Sequence, residues 1–190
     1  MLLESIALAL AAAHFGAPLL YYWRAKRWLK RPWDVAPDPT YRPRVTVIVP
    51  TYNEAPLVEE KLDNIYEQDY PRDRLEVVVV DSASTDGTPS AVKRWAAAHP
   101  DLALTLVEEA ERRGKAHALN TALRYATGEV VVITDADARW PAKDTLANAV
   151  KWLADPKVGA VSCVKRPAGP RGVEDSYRDF YNVLRVAESK

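Results

Sequence analysis

The chain has 190 residues, 48% of them hydrophobic and 27% charged, with 26 basic side chains balanced by 26 acidic ones. That composition excludes a disordered tail and describes a folding domain, and the absence of net charge disfavours generic nucleic-acid binding. A single cysteine excludes an internal disulfide or a cysteine metal scaffold, and Cys163, within the apolar run 158–164, is expected to be a buried strand thiol.

The first element is apolar. Residues 5–23 carry no formal charge, and at ~1.5 Å per residue they would cross most of a hydrocarbon core about 30 Å thick. A membrane helix is the leading reading, ahead of a surface amphipathic or a soluble helix, although His14, Gly16, Pro18 and many alanines keep the span only moderately hydrophobic. Glu4 precedes the run and Arg24, Lys26, Arg27, Lys30 and Arg31 follow it, the reverse of a cleaved secretory signal. Basic flanks stay on the cytosolic side, so the chain after Arg24 is expected there, with Tyr21, Tyr22, Trp23 and Trp28 near the headgroups. Residues 1–31 thus read as an anchor with its flank. Residues 32–43, with four prolines and no apolar periodicity, read as a linker to a domain spanning 44–190.

That domain alternates strand and helix. A β-branched strand is expected over 45–49, then a helix with Val58, Leu62, Ile65 and Tyr66 on one stripe. The unbroken run 77–80 suits a strand covered on both faces, as in parallel sheets. Thr88 and Pro89 open a helix that turns Ala91, Val92, Trp95 and Ala96 inward, with His99 at its end. A weaker strand follows at 102–107, then a helix at 115–126 with Gly128 at its stop, a fourth strand at 130–133 and a fifth at 158–164. Glu174 and Asp175 open a last amphipathic helix. The fold class is therefore α/β with a mostly parallel sheet, preceded by one transmembrane helix.

Every polar cluster of interest follows a strand's carboxyl end: 50–54, 81–87 and 135–137. In open parallel sheets ligands bind along that edge, so the three loops are expected to converge. Asp135 and Asp137, one residue apart, would face the same side of an extended strand end and suit Mg²⁺ or Mn²⁺, or else form a solvated turn. Asp81 can accept hydrogen bonds from a ribose or base, and Asp86 with Gly87 reads as turn chemistry. Glu54 could cap the next helix or touch a ligand. Arg112, Arg113 and Lys115 bring positive charge to a helix start suited to a diphosphate, or form a solvated basic turn. His117 reads as packing or surface, since no second histidine is spaced to join it in binding a metal.

The motifs PTYNE (50–54), VDSASTDGT (80–88), RRGKAHALN (112–120) and TDADARW (134–140), in this order, resemble the nucleotide-sugar domain of family-2 inverting glycosyltransferases. That family includes cellulose and hyaluronan synthases and polyprenyl-phosphate sugar transferases. The resemblance covers about residues 44–164. It implies a GT-A (Rossmann-like) fold that binds a UDP- or GDP-linked sugar with Mg²⁺ or Mn²⁺ and transfers it to a lipid-linked or glycan acceptor at the cytosolic membrane face. It implies that Pro50 and Tyr52 flank the base, Glu54 and Asp81 hold ribose and base, Lys115 sits near base or diphosphate, Asp135 contacts ribose or phosphate, and Asp137 binds the metal. No residue matches the family's downstream catalytic carboxylate, so the base is expected beyond residue 190, in a longer chain. Two alternatives are a non-catalytic nucleotide-sugar-binding module and a haloacid-dehalogenase-like phosphatase. The second is opposed by a D-x-D on the fourth strand and by Arg139.

Overall fold

The computed structural model describes residues 2–164 and 172–189, which fall into two compact units, one of residues 2–35, 162–164 and 172–189 and the other of residues 36–161. The helices are α1 Leu2–Trp28, α2 Ala55–Tyr66, α3 Thr88–Ala98, α4 Lys115–Ala122, α5 Thr145–Val150 and α6 Val173–Glu188, and the strands are β1 Val45–Thr51, β2 Leu75–Asp81, β3 Ala103–Glu108 and β4 Val130–Ile133.

In the smaller unit, residues 2–20 of α1 are exposed along their whole length. Among the described residues α1 is long and apolar enough to cross a membrane, with a mean hydropathy of 1.5 over an eighteen-residue window. Its basic carboxyl-terminal end is interleaved with aromatic rings, Arg27 lying 4.3 Å from the Trp23 ring centre and Lys26 5.0 Å from that of Tyr22. There α6 packs against it: Tyr22 stacks on Phe180 at 4.7 Å, and the Tyr21 hydroxyl donates to Glu188 at 2.7 Å. Glu174 and Asp175 fall in the first turn of α6, the helix start expected of them.

In the larger unit the four strands form one all-parallel sheet in the order β3-β2-β1-β4. The run of valines in β2 follows from its position. Val77 and Val79 are buried in a core with residues of α2, α3 and α5, while Val78 and Val80 are buried on the opposite face with Ala118 and Ala122 of α4. A strand covered on both faces needs apolar side chains at successive positions. Each valine so buried contributes about 1.5–3 kcal/mol, set against the entropy of ordering it. β1 runs two residues past its expected end. Pro50 is tolerated because β1 pairs with β4 only through Ile48↔Ile133, so the missing N–H falls beyond that ladder.

Several expectations are corrected. Residues 158–164 form no strand, and Cys163 is exposed rather than buried. An apolar run becomes a strand only where a ladder receives it, and none of the described strands pairs with this one. α4 stops at Ala122, where i→i−3 bonds from Arg124 and Tyr125 tighten the chain, and Gly128 instead donates its N–H to Thr46 Oγ1 at 2.8 Å. Gly87, left-handed at φ 90°, takes the cap position before α3, while Thr88 is the first helical residue. The short helix α5 had no sequence signal strong enough to predict it.

Candidate functional site

β1 sits where the winding of the sheet reverses, with β2 and β3 on one side and β4 on the other. Loops leaving parallel strands at such a point diverge and open a crevice at the carboxyl edge. A cleft of about 280 Å³ lies there, bordered by Pro50, Thr51, Tyr52 and Glu54 after β1, Ser82 after β2, Arg112, Gly114, Lys115 and Ala118 at α4, and Asp135, Ala136 and Asp137 after β4. Its volume approaches the lower end of small-molecule sites.

The first two loops are stitched together. Asn53, left-handed at φ 55°, donates its N–H to Ser84 Oγ at 2.8 Å and accepts from Thr85 N at 2.9 Å. Asp86 accepts from Ala55 N at 2.9 Å and from Thr88 N at 3.0 Å, so one carboxylate satisfies the first turns of α2 and α3. This is the turn chemistry expected of Asp86. Glu54 occupies the cap position of α2 without a capping bond from its side chain, leaving the carboxylate on the cleft. Burial, then the like charges of Asp137, Asp86 and Asp135, push its pKa above the usual carboxylate range.

Asp81 is 1% exposed and lies beneath the cleft rather than on its wall. Its carboxylate accepts from Thr51 Oγ1 at 3.1 Å, Ser84 Oγ at 2.6 Å and Ser84 N at 2.9 Å. The neighbouring Ser82, the first residue after β2, reaches the wall. Ser82 donates to Glu109 at 2.9 Å, and the same carboxylate meets His117 Nδ1 at 2.7 Å and Thr121 Oγ1 at 3.0 Å. His117, its side chain 42% exposed, thus ties α4 to the chain just after β3 through this polar contact.

On the opposite wall the chain leaves β4 in a turn over Ala136 and Asp137, with Ala138 N bonded to Asp135 O at 3.2 Å, instead of continuing extended. Both aspartates still border the cleft. Lys115 Nζ donates to Asp135 Oδ1 in a close ion pair. Arg112 lies over the Tyr52 ring, 3.8 Å from its centre, whereas Arg113 turns away to Glu111. Among the described residues no three His, Cys, Asp or Glu side chains group closely enough to hold a metal ion. Two carboxylates are nonetheless hard oxygen donors that fit a divalent cation completed by water and diphosphate oxygens.

The profile described as Glycosyl transferase family 2 matches residues 46–187. The chain belongs to glycosyl transferase family 2. A mannosyltransferase, PcManGT, from Pyrobaculum calidifontis, solved with GDP-Man and Mn²⁺, is 87% identical with a TM-score of 0.90, over 99% of this chain and 52% of that one. TarS from S. aureus, solved with UDP-GlcNAc, is 36% identical with a TM-score of 0.52, over 56% of this chain and 30% of its own. Beta-monoglucosyldiacylglycerol synthase from Synechocystis sp. is 35% identical over 123 residues, 65% of this chain and 26% of that protein. The chain therefore spans between about a quarter and a half of these relatives. Its sheet is of the GT-A type, and membership of this family favours the transferase reading over the dehalogenase-like one.

Within this family-2 domain, Pro50, Tyr52, Glu54, Lys115, Asp135 and Asp137 border one cleft, with Asp81 directly behind it. Sequence reasoning missed Lys61, which is 2% exposed on α2. Its signal was present: positions 58, 61, 62 and 65 form one helical stripe, and a lysine on it is out of place.

Proposed function

We propose that this chain carries the donor-binding part of an inverting glycosyltransferase that takes mannose from GDP-mannose and passes it to a lipid-linked or glycan acceptor at the cytosolic face of a membrane. The observation that carries this reading is the meeting of Asp135 and Asp137 with Lys115 and Arg112 in one cleft at the sheet's switch point. Acids and bases placed together in this way suit a diphosphate accompanied by a divalent cation. The choice of GDP-mannose rests on the 87% identity to a mannosyltransferase solved with that donor.

Pro50 and Tyr52 flank the base. Glu54 serves the ribose, and Asp81 serves the base side from beneath the cleft, through Thr51 and Ser84, which it holds. Asp137, helped by Asp135, would hold Mn²⁺ or Mg²⁺, which supplies Lewis-acid stabilisation of the departing diphosphate. Lys115 and Arg112 add fixed positive charge where negative charge develops on the leaving group. The acceptor hydroxyl attacks the anomeric carbon from the face opposite the diphosphate, the new C–O bond forming as the bond to the diphosphate oxygen breaks and the hydroxyl proton passing to a general base that is none of the residues named here, so the anomeric centre inverts. α1 anchors the domain, with the aromatic and basic residues at its carboxyl end in the headgroup region.

Calorimetry with Mn²⁺ tests the donor assignment: GDP-mannose should bind more tightly than UDP-GlcNAc. Equal affinity for the two would overturn the choice of GDP-mannose, and binding of neither would overturn the functional reading. Carbonate washing of membranes should leave the protein in the pellet, and its full release would remove the anchor.

A further inference from the structure

Lys61 is a buried cation next to the aspartate loop. Its Nζ donates to the carbonyl of Ala138 at 2.6 Å and lies 4.6 Å from the centre of the Trp140 ring, and it makes no ion pair among the described residues. A buried ammonium without a carboxylate partner is costly unless nearby charge favours it. Burial lowers its pKa to about 8, against the opposing pull of Asp135 and Asp137. The loop has a second tether on the same helix: Asn64 Nδ2 donates to Trp140 O at 3.0 Å, and Asn64 Oδ1 accepts from Trp140 N at 2.8 Å. Asn64 satisfies backbone groups without adding charge, and a loop needing only mechanical support could be held by amides of this kind throughout. At Ala138, one residue beyond Asp137, the tether is instead a cation.

We propose that Lys61 is a positioning residue for the cation site: it holds the turn over Asp137 from behind and offsets the charge of the two aspartates, so that the loop is set for a divalent cation before nucleotide arrives. Three carboxylates border the cleft, Glu54, Asp135 and Asp137, and the ion pair with Lys115 offsets one of them. Mutual repulsion would open a turn as short as this one, and a fixed positive charge on its inner side opposes that. Lys61 does not border the cleft. Its effect is carried through the Ala138 carbonyl and through the local field, and the inference rests on the cleft being the nucleotide-sugar site.

The test compares the full chain with Lys61→Met, which removes charge and donor at similar length, using calorimetry with GDP in Mn²⁺, GDP in EDTA and thermal melting. Loss of a charge-assisted hydrogen bond predicts that Mn²⁺-dependent GDP affinity falls by roughly tenfold to a hundredfold, while GDP affinity in EDTA stays within about twofold. A purely structural lysine would lower the melting temperature and leave the ratio of the two affinities unchanged, which overturns the proposal. If Lys61→Met does not fold, Lys61→Gln, which keeps a donor without charge, carries the same comparison, and parental Mn²⁺ dependence in that variant also overturns it. If the parent chain gains no GDP affinity from Mn²⁺, the functional reading itself fails and this inference with it.

Discussion

A Cβ placed on Gly128 would lie 2.5 Å from the backbone nitrogen of Thr46 and 2.8 Å from the carbonyl carbon of Val45. The approach is that close because Thr46 Oγ1 accepts the Gly128 N–H while itself donating to Glu76, which also accepts from Thr127 N at 2.6 Å and Thr127 Oγ1 at 2.9 Å. This clamp brings β4 alongside β1 in the register that carries Asp135 to the cleft. Gly128→Ala must push one backbone away from the other, and it should cost about 1–3 kcal/mol or more, as overpacking does. Chemical denaturation checks the loss, and a midpoint equal to the parent's would mean that the clamp has slack.

Glu54 gives a pH-dependent prediction. Its folded-state pKa is raised, by burial first and then by Asp137, Asp86 and Asp135. A carboxyl group whose pKa is raised by folding destabilises the fold once it ionises, so the penalty is present above the folded pKa and disappears as pH falls below the unfolded value. Glu54→Gln should therefore melt higher than the parent at neutral pH, and the two melting curves should converge on acidification through the carboxylate range. The same variant should bind nucleotide sugar less well, a trade of function against stability. Melting differences that widen toward low pH would contradict the assignment.

How much of this was legible in the sequence depends on the kind of interaction. The β2 strand was readable from its unbroken apolar run and the buried stripe of α2 from a period of 3.6 residues, both of them local patterns. Convergence of the three loops was readable from topology, since a parallel sheet places every strand's carboxyl end on one edge. Pairing was not readable: Arg112 and Arg113 are adjacent in sequence, and only the structure turns one to Tyr52 and the other to Glu111. Residues 158–164 look like a strand by composition, but strand formation is settled by a partner edge that composition does not contain. Asp81 was recognisable as a strand-end acid, whereas its burial beneath Thr51 and Ser84 depends on which face of β2 carries it, along with the side chains of Val77 and Val79.

Asp137 is exposed on the turn after β4, while Asp135 is held by Lys115. An ion-paired carboxylate has less of its charge available to a cation than a free one of the same kind. Asp137→Asn should therefore remove most Mn²⁺-dependent nucleotide binding with little change in melting temperature, and Asp135→Asn should weaken that binding less while releasing Lys115. Titration of Mn²⁺ against each variant in the presence of GDP makes the comparison. The reverse order of effects would give Asp135 the principal role.

Arg112 and Arg113 provide a matched pair of substitutions. Both are exposed at the approach to α4, and by sequence either could face a diphosphate. Only Arg112 borders the cleft, lying over Tyr52, while Arg113 is paired with Glu111 outside it. An exposed pair such as Arg113 with Glu111 contributes about 0–1 kcal/mol, so Arg113→Gln should change little. Arg112→Gln removes a cation at the cleft wall and should weaken GDP-mannose binding by roughly tenfold, the scale of one charge-assisted hydrogen bond. It should also flatten the dependence of binding on ionic strength, because a partly exposed charge acting on a diphosphate is screened by salt. Affinities measured at low and high salt for the two variants separate the cases. If both lose affinity equally, the charge acts as a diffuse field from the loop. If only Arg113→Gln does, the loop must rearrange on binding so that Arg113 replaces Arg112.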